Sequence, residues 1–94
     1  MSEASKWSVF VGGKPTMNYV LACLTLFHQG ANEVVLKARG RAINKAVDAA
    51  LLVLNRFMAD AKVKRVEVGT ERLTTDDGRP VEKSVISITL SRGP

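Results

Sequence analysis

The sequence predicts an α+β fold of two layers, in which two helices cover one face of a four-stranded mixed sheet. Apolar patterns typical of strands and helices follow one another in the order β-α-β-α-β-β. A strong turn signal, Asp77-Gly78, separates the last two strands and predicts a long C-terminal hairpin. The 94 residues, 46% of them hydrophobic, suffice for one core. We therefore expect a flexible tail at residues 1–6 and a single domain at residues 7–94.

The domain is predicted to begin with a strand and a helix. Residues 7–11 have strand propensity and end at a glycine pair, and Pro15 suits the first turn of a helix. The helix is predicted over residues 16–29, with Gly30 closing it in the left-handed conformation. Its apolar side chains recur at helical spacing: Met17, Val20, Leu21, Leu24 and Phe27.

A second strand and a second, longer helix follow. In the strand Glu33–Arg39, alternate apolar residues are expected to face the core, with Lys37 and Arg39 on the opposite, open face. The helix is predicted over residues 41–58. Its apolar stripe consists of Ile43, Ala46, Val47, Ala50, Leu51, Leu54 and Phe57. Leu52, Val53 and Met58 widen this stripe beyond what one sheet face requires, so we expect some of the excess to lie in a subunit interface.

The last two strands form the predicted hairpin, and its two halves differ in composition. Near the base, residues 66, 68 and 70 alternate with charged neighbours, as do 86, 88 and 90 with polar ones. Residues 71–84 contain few apolar side chains, so this outer half is expected to project as an arm of about 30 Å. Arg72, Arg79 and Lys83 would lie on the arm.

Charge and composition favour a polyanionic partner. The chain has a net charge of +5 and a pI near 9.8, which is typical of nucleic-acid-binding proteins. The single cysteine, Cys23, is expected to be a buried thiol. The sequence shows no secretory signal and no apolar run long enough to span a membrane. We expect a cytoplasmic protein without metal or cofactor.

Cations concentrate in the stretch from Lys37 to Lys45, where four of them surround Gly40 without any acid. Arg41 and Lys45 lie near the predicted helix start, where the helix dipole is positive and free backbone N–H groups favour an anion. The stretch therefore predicts a phosphate contact. Lys14, also at a helix start, and the three arm cations are further candidates for nucleic-acid contacts. Acids alternate with the arm cations, however, and could neutralise them.

Catalysis has little support in the sequence. The only histidine, His28, lies five residues from Cys23, a spacing that does not place the two on one helix face. The adjacent acids Asp76 and Asp77 are ordinary turn residues. No phosphate-binding loop or dinucleotide motif is present. We therefore predict no enzymatic activity.

Exposed aromatic side chains are expected to be scarce. Phe10, Phe27 and Phe57 all fit apolar faces, and only Tyr19 is placed where it could meet a base or a phosphate. A platform for single strands usually needs several aromatic residues. The residues therefore favour backbone-directed binding to a duplex, with weak sequence specificity and strong salt dependence.

Three motifs resemble those of the Alba family of archaeal chromatin proteins. They are Gly-Gly-Lys-Pro-Thr-Met-Asn-Tyr-Val at residues 12–20, Lys-Ala-Arg-Gly-Arg-Ala-Ile-Asn-Lys-Ala-Val at 37–47 and Asn-Arg-Phe at 55–57. The similarity extends over residues 9–90 in order and spacing. It implies a homodimer that binds double-stranded DNA and often RNA, associates with the chromosome, and coats, bridges and compacts DNA.

The resemblance also assigns residues. It implies a nucleic-acid surface with Lys14, Arg39 and Arg41, with Asn44 close by and Tyr19 near it. With the cations identified above, the predicted nucleic-acid-binding residues are Lys14, Asn18, Tyr19, Arg39, Arg41, Asn44, Lys45, Arg72, Arg79 and Lys83. Arg56 and Phe57 match the contact through which neighbouring dimers associate on DNA. The arms of the two subunits would reach along the minor groove.

One departure and two alternatives qualify this assignment. Many family members have two lysines before the first proline, and the first can be acetylated to weaken binding. This chain has Gly13 there, so acetyl control at that position is not expected. The resemblance also allows a heterodimer with an Alba paralogue. The main alternative function is that of an RNA-binding protein or a ribonucleoprotein subunit.

Overall fold

The computed structural model describes residues 7–93, and its elements follow the predicted order β-α-β-α-β-β. The strands are β1 (Ser8–Phe10), β2 (Glu33–Arg39), β3 (Ala61–Thr74) and β4 (Pro80–Arg92). The helices are α1 (Thr16–His28) and α2 (Ile43–Leu52). A 3₁₀ turn, Gly40–Ala42, precedes α2, and a π-helical turn, Val53–Phe57, follows it. The tail predicted at residues 1–6 lies outside the described residues.

The four strands form one mixed sheet in the order β1-β2-β4-β3, which confirms the predicted fold class. β1 and β2 are parallel, and the other two pairs are antiparallel. In β2 the predicted core residues Val34, Leu36 and Ala38 are buried under the helices, and Val35 on the opposite face is buried as well. The cross-strand partners of Val34 and Leu36 in β4, Leu90 and Ile88, complete this face of the core.

Helix α1 lies against the sheet by a different face from the predicted one. Met17 and Leu21 are 42% and 55% exposed, whereas the buried residues are Tyr19, Val20, Cys23 and Phe27. The helix is apolar on more than one side, and the spacing of its most hydrophobic residues therefore does not determine which side packs. Val20 and Phe27 are common to the predicted and observed faces.

The end of α1 is as predicted. Gly30 has a φ of +108°, which an L side chain rarely adopts. The Gly30 N–H donates to the carbonyl of Phe27 at 3.0 Å, and the Ala31 N–H donates to that of Leu26 at 3.1 Å. This pair of bonds is the Schellman motif, which satisfies the last carbonyls of a helix. It directs the chain into β2.

The outer half of the β3–β4 hairpin projects from the sheet as an arm. β2 pairs with β4 only as far as Val85, so the pairs from Thr70↔Ser84 to Thr74↔Pro80 have no third strand beside them. The arm residues are mostly exposed, as their polar composition predicted. At the tip, the Gly78 N–H donates to the Thr75 carbonyl, and Gly78 has a φ of +84°. The arm contributes to a long axis of 47 Å.

The helices leave the edge strand β3 uncovered. By their register with Ile88 and Ile86, Val66 and Val68 lie on the face of the sheet that carries the helices. They are nevertheless 51% and 79% exposed, because the strands that α2 packs against are β2 and β4. The sheet therefore presents an apolar strip beside α2.

Candidate nucleic-acid interface

Three segments meet at one end of the sheet and form a groove of about 580 Å³. They are the loop before α1, the turn between β2 and α2, and the base of the arm. We call this the basic groove, and its lining residues are Gly12, Gly13, Arg39, Gly40, Arg41, Ala42, Lys45, Glu82, Lys83 and Ser84. The fold thus brings together parts of all three segments that the sequence marked as cationic.

Gly40 shapes the centre of the basic groove. Its φ of +54° lies in the left-handed region, which favours glycine. This conformation turns the chain from the end of β2 into the 3₁₀ turn, so Arg39 and Arg41 flank one sharp bend. A Cβ added at Gly40 would lie 3.7 Å from Cδ of Lys83, so the arm's lysine stem passes close to the bend.

The loop before α1 is fixed from two sides. The ammonium group of Lys45 donates a hydrogen bond of 2.7 Å to the carbonyl of Lys14. The hydroxyl of Tyr19 accepts hydrogen bonds from the backbone N–H groups of Gly12 and Lys14, at 2.9 and 3.0 Å. These three bonds hold Lys14 beside Lys45 of α2, although Lys14 and Lys45 are distant in sequence.

The prediction that Tyr19 presents itself to a base or phosphate is wrong. Tyr19 is only 7% exposed, because the fold uses this face of α1 as its core side. Partial burial acts to raise the pKa of the hydroxyl. The N–H bonds from Lys14 and Gly12 and the charges of Lys45 and Lys14 outweigh burial, so the pKa lies below its ordinary value. Tyr19 positions the loop.

Four cations in and around the basic groove have no carboxylate partner among residues 7–93: Lys14, Arg41, Lys45 and Lys83. Arg39, in contrast, forms an ion pair of 2.8 Å with Glu71. The first turn of α2 contains no acidic residue either. The positive charge of the basic groove is therefore largely uncompensated within the described part of the chain.

The two arginines of the arm lie outside this groove and are paired. Arg72 contacts Glu82 at 2.9 Å, and Arg79 contacts Asp77 at 2.9 Å near the tip. A hydrogen bond from Thr75, followed by those from Arg79, outweighs the effect of burial and lowers the pKa of the Asp77 carboxyl. Exposed pairs of this kind contribute little free energy, so a phosphate can displace either acid.

The remaining predicted residues lie in two places. Asn18 and Asn44 are exposed in the first turns of α1 and α2, near the loop and the bend. Arg56 and Phe57 belong to the π-helical turn and do not line the basic groove. Phe57 is 48% exposed, and Arg56 lines a separate groove of about 460 Å³ with Leu51 and Leu52.

Phe10 is the residue that sequence reasoning misplaced most. The sequence predicts an apolar face for this residue, yet it is 73% exposed on the open face of the sheet. Its neighbours Val9 and Val11 are both buried. Successive side chains of a strand point to opposite faces of the sheet. With Val9 and Val11 on the core face, the sequence therefore places Phe10 on the open face.

Cys23 and His28, the two side chains that could act as a nucleophile and a base, differ in their exposure to solvent. Cys23 is buried, and burial raises the pKa of its thiol to about 12, which disfavours the nucleophilic thiolate. His28 is exposed at the end of α1. Within the described residues, no cluster of His, Cys, Asp and Glu could hold a metal. No helix in the same part of the chain is long and apolar enough to cross a membrane.

Comparison with known proteins identifies the family. The family model described as Alba matches residues 8–70. The DNA/RNA-binding protein Alba of Methanocella arvoryzae is 50% identical over 84 residues, which cover 89% of this chain and 88% of the relative. The structure of Alba from Thermoplasma volcanium matches with a TM-score of 0.85 and 48% identity, covering 90% of this chain and 99% of that one. ALBA1 from Trypanosoma brucei matches with a TM-score of 0.71 and 27% identity, covering 93% and 69%. The chain belongs to the Alba family.

Proposed function

We propose that the protein is a dimeric architectural chromatin protein that binds double-stranded DNA with little sequence specificity. The observation that carries this proposal is the group of four cations without a carboxylate partner: Arg41, Lys45 and Lys83 line the basic groove, and the carbonyl of the adjacent Lys14 accepts a hydrogen bond from Lys45. A relative at 50% identity is named DNA/RNA-binding protein Alba, which supports a nucleic-acid ligand.

The chemistry of the basic groove favours phosphate over base edges. Arg41 and Lys45 lie near the positive end of the α2 dipole, where cations are unfavourable by up to about 1 kcal/mol. An anion from outside the chain would offset this unfavourable free energy and accept hydrogen bonds from free N–H groups at the start of the helix. Phosphate contacts fix the position of a protein on DNA but do not read its sequence. Low sequence specificity follows.

Dimerisation would extend the basic surface. The exposed valines of β3 form an apolar strip that a second copy would cover, as large exposed patches often indicate an interface. Two basic grooves and two arms would then engage one duplex, with the arms along the minor groove. Contacts between dimers through Arg56 and Phe57 would allow coating, bridging and compaction. Such a protein would associate with the chromosome in the cytoplasm.

Binding to duplexes of unrelated sequence across a salt series tests the proposal. We expect log K to fall with log salt with a slope of about −0.9 for each phosphate neutralised. Lys14→Ala and Arg41→Ala should lower the affinity for every duplex alike and make the slope shallower by about 1. Lys62→Ala is the matched control, because Lys62 is equally unpaired and exposed but lies outside the groove. A slope near zero, or equal losses in all three variants, would contradict the proposal.

RNA is the second candidate ligand. The name of the Methanocella relative includes both nucleic acids, and the same cations would bind the backbone of an A-form helix. Crosslinking in cells followed by sequencing separates the two. Chromosome-wide recovery of DNA supports the architectural function, whereas a few enriched RNAs would support a ribonucleoprotein subunit.

A further inference from the structure

We propose that the open face of the sheet is a second contact for nucleic acid, which binds an unpaired base of a single strand by stacking it on Phe10 beside Lys37. This inference deepens the proposed function, because it assumes that nucleic acid is the ligand. It adds a surface that the basic groove does not include. It also assigns that surface to single strands rather than to duplexes.

The geometry of the open face supplies a platform. Phe10 and Lys37 are partners in the parallel pairing of β1 with β2, so their side chains emerge on the same side. The ammonium group of Lys37 lies 5.9 Å from the centre of the Phe10 ring. Beside them is a groove of about 310 Å³, lined also by Arg39, Val85 and Ser87. This volume is at the small end for ligand sites, which suits one base.

The exposure of Phe10 has no explanation in the core. Its neighbours Val9 and Val11 already bury their side chains under the helices, and Phe10 keeps 73% of its surface in solvent. At 5.9 Å the cation–π contact with Lys37 is at its outer limit, so it restrains the lysine weakly. Stacking of a base on the ring would bury the aromatic surface, and Lys37 could then reach the adjacent phosphate.

Charge also favours a nucleic acid on this face. Glu71 is the acid that lines the groove, and its ion pair with Arg39 neutralises it. Lys37 has no ion pair among residues 7–93, so the local balance is positive. Arg39 lines both this groove and the basic groove, so the two surfaces are continuous. A strand can therefore follow one surface onto the other.

Single strands and duplexes differ in whether their bases can stack on Phe10. In a duplex both faces of each internal base are already stacked, whereas a single strand offers free faces to an aromatic side chain. One ring accommodates one base. Phe10 should therefore add affinity for single-stranded DNA or RNA, with weak sequence preference, and should add little for a closed duplex.

The test compares a short oligonucleotide carrying 2-aminopurine with a closed hairpin duplex of the same sequence. We expect Phe10→Ala to weaken single-strand binding about tenfold, within the range for loss of one stacked base, and to leave duplex binding unchanged. Phe10→Leu should lose as much, because it keeps apolar surface but no π face. Phe10→Trp should retain binding. The 2-aminopurine fluorescence should fall on binding to the native chain and not to Phe10→Ala.

Controls keep this inference separate from the proposed function. Leu21→Ala removes a comparably exposed apolar side chain from α1 and should change neither ligand. Equal affinity of the native chain and Phe10→Ala for the single strand would overturn the inference, and so would full binding by Phe10→Leu. Equal losses for both ligands would overturn it as well. Failure of Lys14→Ala to weaken duplex binding would instead contradict the proposed function and leave the Phe10 result standing.

Discussion

At the scale of single residues, the loop before α1 shows how backbone and side-chain groups build a cationic surface. Tyr19 accepts two backbone N–H groups of this loop, and Lys45 donates to the carbonyl of Lys14. None of these bonds uses the charge of Lys14, which stays exposed. The conformation of the loop therefore depends on Tyr19 and Lys45, whereas its charge depends on Lys14.

Titration of the single tyrosine tests this arrangement directly. The N–H bonds and the charges of Lys45 and Lys14 prevail over burial, so we expect the phenol of Tyr19 to titrate below its ordinary pKa of about 10. The contribution to stability should then be present above the unfolded pKa and be lost as the pH falls through the folded one. Phenolate absorbance against pH measures this pKa.

Two variants complete the titration. Lys45→Ala should raise the pKa of Tyr19 toward its ordinary value, because it removes a nearby positive charge. Lys62→Ala removes a lysine from β3, away from the loop, and should not change the pKa. A Tyr19 pKa at or above the ordinary value in the native chain would contradict this arrangement of the loop.

Tyr19 and Phe10 show which part of a site the sequence can predict. Residue type suggested an exposed tyrosine and a buried phenylalanine, and the structure has the reverse. Two nearby N–H groups satisfy the hydroxyl of Tyr19, and only the folded loop brings them there. The position of Phe10, in contrast, follows from strand parity. The cationic residues were easier to predict, because a charge stays at the surface in almost any fold.

At the scale of elements, the arm combines cations with acids that neutralise them. Glu82 pairs with Arg72 and also lines the basic groove beside Lys83. Its carboxylate is therefore a negative charge within a surface that is otherwise positive. Because an exposed pair contributes at most about 1 kcal/mol to stability, we infer that Glu82 moderates nucleic-acid affinity more than it stabilises the arm.

Glu82→Gln should therefore strengthen binding to duplex DNA. Removal of one charge about 4 Å from a phosphate contributes about 1 kcal/mol in water, which corresponds to about fivefold in affinity. The matched control is Glu67→Gln, which also neutralises an acid paired with an arginine but lies outside the groove. Titrations at constant salt measure both, and weaker binding by Glu82→Gln would disprove this role.

Element boundaries were predictable to different degrees. β2, Glu33–Arg39, was predicted to the residue, because turn residues and alternation mark it on both sides. The second helix was predicted as one segment over residues 41–58, but it begins as a 3₁₀ turn and ends as a π turn. In the π turn, the Met58 N–H donates to the Val53 carbonyl at 2.8 Å. Local propensity does not encode this change of winding.

At the scale of the whole molecule, the uncovered side of β3 is the strongest indication of a second subunit. Val63, Val66 and Val68 are 44%, 51% and 79% exposed on one strand. The sequence suggested excess apolar surface but placed it on the second helix. On that helix Val47 and Leu51 are 36% and 47% exposed, and the edge strand adds the apolar strip of β3. The order of the strands decides this, because it leaves β3 beyond the reach of α2.

Val68→Asp should dissociate the proposed dimer without unfolding the subunit. Because Val68 is largely exposed in one chain, the substitution should change the stability of that chain by less than about 0.5 kcal/mol. In a dimer interface it would bury an unpaired charge and raise the dissociation constant at least tenfold. Sedimentation equilibrium measures this constant. Leu21→Asp, an equivalent change on α1, should leave the dimer intact, and a native chain that sediments as a monomer would exclude the dimer.

Association of dimers on DNA should depend on Phe57. This side chain is half exposed in a π turn that ends a helix, where it contributes little to the core of its own subunit. Phe57→Ala should leave the subunit folded and the dimer intact. It should remove cooperativity from a DNA titration, because each dimer would then bind without contacting its neighbour. Phe57→Leu keeps an apolar side chain of similar size and should retain part of the cooperativity. If Phe57→Ala binds as cooperatively as the native chain, the contact between dimers lies elsewhere.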